Sequence, residues 1–226
     1  MKIQKLYYDM DGSVSGLLKL EVDTERKTCN EIFYKQYHRD GYWARSDVLS
    51  EILDLPYDSM IITYNGRVWD LAYLIHSLGI CDNADIREKI ASIDRDLMCT
   101  YLARRLSIKG GLYQAKEDIF KELENKKLQL NEQLILNYKK CEKTMLTNHR
   151  ECEDGGPSSW SFTEIYTDKV RKPRNEMGIR ILPIVEEYLG LLYLPRIRED
   201  IYFGSWVYQK RFVDKMGKDW INWNCC

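Results

Sequence analysis

The chain reads as an α/β protein built on a mixed sheet flanked by helices, with a helical and irregular C-terminal extension. Three features predict this. Apolar runs at 3–8 and 60–64 have the length of buried strands. Two partly alternating segments, 16–22 and 31–37, are joined by a polar link and read as a hairpin. From Trp69 onward, apolar residues recur mainly at helical spacing.

In order, residues 3–8 form a central strand, and the hairpin follows it. Ser46 caps a short helix through Leu53, which Pro56 closes. Residues 60–64 form the next strand, and Asn65-Gly66 turns the chain. Trp69, Ala72, Tyr73, Ile75 and His76 mark a helix that Gly79 stops. A second helix is expected over Arg95–Arg105, and others at about 113–125, 131–146 and 180–192. Gly155-Gly156-Pro157-Ser158-Ser159 is the strongest linker signal. It divides the chain into a domain over 1–155 and an extension over 156–226.

Composition excludes several classes. The 226 residues suffice for one large domain, or one domain with an appendage. Lys plus Arg (34) nearly balances Asp plus Glu (35), so bulk charge predicts neither a nucleic-acid nor a membrane partner. A local basic rim could still guide a phosphodiester. No stretch approaches the roughly 20 apolar residues of a membrane span. Seven cysteines at irregular spacing contain no zinc-ligand pattern. Their odd number and the missing secretory leader suggest a reducing, cytoplasmic setting, the host cytoplasm if the chain is viral.

Acidic residues stand at the edges of predicted elements. Asp9 and Asp11, two apart at the end of the first strand, can face the same side. Their repulsion is tolerable with a cation between them; an ordinary strand-to-turn junction is the simpler account. Asp70 opens a helix just beyond the 60–64 strand, where the macrodipole alone would favour an acid. Tyr138 and Glu142 share a helical face with Leu134, Cys141 and Met145. A carboxylate on an apolar face needs a partner or a metal; Lys139, Lys140 and Lys143 argue instead for a solvated edge. His149 and Asp154 form a competing base-and-acid pair.

Together these residues resemble the DEDD family of 3′–5′ exonucleases, whose fold is ribonuclease H-like. Residues 64–74, with Asn65 and Trp69-Asp70 at a helix start, are similar to that family's second motif. Ile93-Asp94-Arg95-Asp96-Leu97-Met98 and Gly110-Gly111-Leu112 look like the segment after it. Tyr138 and Glu142 have the spacing of the third motif in its tyrosine form, His149 and Asp154 that of its histidine form. Two positions differ: Asp11 stands where the family has Glu, and Glu142 where it has Asp. The resemblance implies two Mg²⁺ or Mn²⁺ ions held by Asp9, Asp11, Asp70 and Glu142. It further implies Tyr138 or His149 orienting the attacking water, and Asn65, Trp69 and Lys109 contacting the terminal nucleotide. Its implied partners are single-stranded DNA or RNA 3′ ends and a polymerase or other replication protein.

Two alternatives stand beside it. Tyr7 to Val14 also looks like the first motif of haloacid-dehalogenase-type phosphatases, with Asp9 as nucleophile, Asp11 as acid and Thr63 as the second-motif hydroxyl. The other is a non-catalytic relative that binds nucleic acid or protein. Its binding surface would be the extension, where Trp160, Trp206, Trp220 and Trp223 mix with basic residues.

Overall fold

The structure is a computed structural model describing residues 1–11, 14–38, 42–66, 70–80, 82–97, 112–125, 129–155 and 167–197. Five strands form one mixed sheet: β1 (Lys2–Asp11), β2 (Val14–Asp23), β3 (Thr28–His38), β4 (Met60–Thr63) and β5 (Asp94–Asp96). Their order across the sheet is β3-β2-β1-β4-β5. β1 to β3 form an antiparallel meander, whereas β4 and β5 run parallel to β1.

Helices cover both faces. α1 (Tyr42–Leu53), α2 (Asp70–Ser77) and α3 (Ala84–Ile93) cover one. There Val48, Ile52, Leu71, Leu74, Ile75, Ile90 and Ile93 pack on Leu6, Tyr8 and Ile61. α4 (Leu112–Glu124), α5 (Glu132–Gly155) and α6 (Lys172–Tyr188) cover the other. Here Ala115, Ile119, Leu134, Tyr138, Met177 and Ile181 pack on Ile3, Tyr7, Leu18 and Ile62. Both faces of β1 are buried, which is why its sequence is a nearly continuous apolar run. α6 and the residues that follow it to Leu192, which belong to the extension, thus pack into the core against the sheet.

Several expectations need correction. α1 begins at Tyr42, so Ser46 lies within the helix and does not cap it. The helix expected from Arg95 is absent at its start. Residues 94–96 are a strand preceded by α3, whose cap is Asn83 accepting a hydrogen bond from the Ile86 N–H; residues 98–105 lie outside those described. α6 starts at Lys172, well before 180, with Pro173 in its first turn and Pro183 buried inside it. Proline is tolerated in a first turn because the missing N–H has no helical acceptor there. The linker positions 156–159 lie outside the described residues.

α6 lies so close to β2 that Gly16 has no room for a side chain. A Cβ there would lie 2.1 Å from Ile179 Cδ1 and 2.4 Å from Asn175 Oδ1. Gly16→Ala is expected to cost about 1–3 kcal/mol through overpacking. Urea unfolding checks this, and a midpoint equal to the parent's would show that α6 yields freely.

Candidate active site

β1 carries Asp9 and Asp11 at its carboxyl end, opposite Gly16 and Val14 of β2. Beside it, β4 leads into a tight turn. Asn65 adopts a left-handed conformation with φ 67°, which asparagine tolerates better than most residues. Its N–H donates to Asp96 Oδ1 at 2.7 Å. The Leu71 N–H then donates to Gly66 O at 2.9 Å, closing the chain onto α2. The turn delivers Asp70, buried at 6% exposure, to the carboxyl ends of the parallel strands.

Asp9 and Asp70 come together there, and the Met10 backbone favours the charged form of each carboxyl. Burial, then the charge of Asp11, pushes the Asp9 carboxyl up to about 7, against the pull of Arg174 and the Asn175 hydrogen bond. Burial, then Asp9 and Asp96, drives Asp70 well above the ordinary carboxylate range. Two carboxyls that resist ionising together are the condition a bound cation relieves.

A cavity of about 260 Å³ opens beside them. Asp9, Asp11, Lys116, Tyr138, Arg174 and Gly178 contribute to its walls. Tyr138 is buried, its ring 5.2 Å from that of Phe120. Its hydroxyl donates to Glu142 Oε1 at 3.0 Å, and Lys116 Nζ donates to the same oxygen at 3.0 Å. From α6, Asn175 Nδ2 donates to Asp9 O at 3.1 Å and approaches Asp9 Oδ2 at 3.4 Å. Arg174 Nε pairs with Asp11 Oδ2 at 3.1 Å. A Cβ on Gly178 would lie 2.7 Å from Asp9 Oδ2, so the helix backbone itself forms one wall.

Asp9, Asp11 and Tyr138 therefore share one cavity, and Asp70 adjoins Asp9. Glu142 does not join them, being bonded to Lys116 and Tyr138. Among the described residues, no three Asp, Glu, His or Cys side chains are grouped as a metal would need. Asp9 and Asp70 supply the hard oxygen donors that suit a single Mg²⁺ or Mn²⁺. The four-acid set for two ions is not assembled in this arrangement. His149 and Asp154 lie on the last turns of α5, their side chains outside those described. Eleven residues of continuous helix put the His149 backbone about 16 Å beyond that of Tyr138. Trp69 and Lys109 lie outside the described residues.

Sequence reading missed Lys116, which nothing distinguishes from Lys121 on the charged helix α4. It also missed Asn175 as the anchor of Asp9, more than 160 residues away. Asp96 could have been found: it closes the charged run after Ile93 and supports the turn before Asp70.

Comparison with protein-family models, with curated proteins and with solved structures gives no match for this chain. Among the described residues, no helix is long and apolar enough to cross a membrane.

The raised Asp9 and Asp70 groups have a consequence for stability. At these two groups the folded chain binds more protons than the unfolded one above pH 4, so in EDTA the stability they contribute should fall as pH rises from about 4 through 7. Urea midpoints across that range check this, and midpoints rising from pH 5 to 7 would contradict it.

Proposed function

We propose that the chain is a ribonuclease H-like, DEDD-type 3′–5′ exonuclease that shortens single-stranded nucleic acid with a divalent cation. One observation carries the reading: Asp9 and Asp11 of β1 and Tyr138 of α5 line one cavity, with Asp70 against Asp9. The strand order β3-β2-β1-β4-β5, with β2 antiparallel to its neighbours, is consistent with that fold. Bound Mg²⁺ or Mn²⁺ would supply Lewis-acid activation of water and neutralise phosphate charge. Asp9 and Asp70 would hold it. Tyr138 orients the attacking water through its hydroxyl, which Glu142 fixes from the other side. Lys116 and Arg174, cations on the cavity wall, are offered to phosphate oxygens.

Thr63, the second-motif hydroxyl of the phosphatase alternative, is fully buried and is not among the residues lining the cavity. A second reading keeps a specific observation: Lys116 engages Glu142, which suits a relative that binds nucleic acid without turnover.

The test is an oligonucleotide labelled at its 5′ end, DNA or RNA, incubated with Mg²⁺ or Mn²⁺. A ladder shortening from the 3′ end, absent in EDTA, is expected. Binding without shortening would select the non-catalytic relative. Phosphate release from small monoesters, lost in Asp9→Asn, would favour the phosphatase.

A further inference from the structure

We propose that Arg174 is a latch on Asp11, released when a phosphodiester takes its guanidinium. The inference rests on the cation site described above and adds how substrate and cation meet in it.

The first turn of α6 treats the two aspartates of β1 differently. Asn175 is fully buried and fixes Asp9 through two contacts of 3.1 and 3.4 Å. Arg174 neutralises Asp11 from a half-exposed position, with side chains 49% and 29% exposed at 3.1 Å. A buried amide anchor is costly to unmake. An exposed ion pair is worth only about 0–1 kcal/mol, so its partners exchange readily. A cation that uses Asp11 competes with the guanidinium for its charge. Phosphate is the ligand best able to receive it, since its oxygens match the planar fork in two parallel bonds.

Both side chains line the cavity with Lys116, so a phosphate entering there meets Arg174 directly. Arg174 then passes from Asp11 to the phosphate, and Asp11 becomes available to the cation. Each ligand thereby strengthens binding of the other, as reciprocal coupling requires. The free protein holds a cation weakly, and nucleic acid completes the site.

The test uses the full chain in two titrations. Mn²⁺ without nucleic acid should bind Arg174→Met about tenfold more tightly than the parent, the order expected for removing one competing charge. That gain should vanish when Asp11→Asn is added. A short oligothymidylate in EDTA should bind Arg174→Met several-fold more weakly, through loss of one phosphate contact. Circular dichroism monitors folding. If Arg174→Met does not fold, Arg174→Lys should show smaller shifts in the same directions, because it keeps the charge but not the fork. Mn²⁺ affinity unchanged by the substitution, or oligothymidylate affinity unchanged, overturns the latch and leaves the cation site standing. Mn²⁺ bound by neither parent nor variant overturns the cation site and the latch together.

Discussion

Glu186→Ala should destabilise the chain by about 3–5 kcal/mol, the usual cost of stranding a buried charge. Against a total of about 5–15 kcal/mol, that brings the fold near collapse. Glu186, Lys5 and Arg95 are fully buried. Glu186 Oε1 accepts from Lys5 Nζ at 2.7 Å and from Arg95 Nη1 at 2.6 Å. Its Oε2 accepts from the Tyr7 hydroxyl at 2.6 Å. Lys5 and Arg95 also donate to Leu191 O, and Arg95 Nη2 donates to Pro195 O.

One carboxylate thus serves two cations. Burial alone would raise the Glu186 carboxyl, but Lys5 and Arg95 outweigh it and hold it low. Burial lowers the Lys5 ammonium in spite of Glu186, because the excess positive charge is what the interior penalises. Alanine would leave two buried cations facing each other without the carboxylate that serves both. Replacing Lys5, Arg95 and Glu186 together by apolar residues of like volume should recover much of the loss. Urea unfolding measures both, and a loss below about 1 kcal/mol for Glu186→Ala would show that water or relaxation relieves the site.

Asp70→Asn should separate activity from stability. Shortening of the oligonucleotide should drop at least about a hundredfold, since removing a ligand must exceed the 10–100-fold typical of its supporting contacts. Stability at pH 7 should hold or rise. Asparagine keeps an acceptor for the Met10 backbone and removes a charge that burial, Asp9 and Asp96 all oppose. Undiminished digestion would remove Asp70 from the mechanism. A marked fall in the urea midpoint would mean that its carboxylate contributes to the fold instead.

The sequence made some of this legible and hid the rest for physical reasons. Met60–Thr63 and Asn65-Gly66 were readable because an apolar run and a turn pair act locally. β5 was not: Asp94-Arg95-Asp96 is three charged residues, yet all are buried. What permits that burial is remote, Glu186 for Arg95 and the Asn65 N–H for Asp96. α6 was placed too late: the expected 180–192 span already held Pro183 but missed the start at Lys172, where Pro173 sits in the first turn. At the site, Asp9, Asp11, Asp70 and Tyr138 were named from their places at element edges and from the resemblance to the exonuclease motifs. The contacts that orient them, from Asn175, Arg174 and Lys116, depend on how α4 and α6 settle on the sheet.

β1 and α6 run in opposite directions and are bolted together twice. Asn175 and Gly178 meet Asp9 at one end, and Glu186 meets Lys5 and Tyr7 at the other. The bolts are about 16 Å apart along the helix and about 13 Å along the strand. Slipping the helix by a single turn would unseat both. The gap between helix and aspartates is therefore gauged when the chain folds, and the width of an incoming group, more than any closing movement, would decide what the cavity admits.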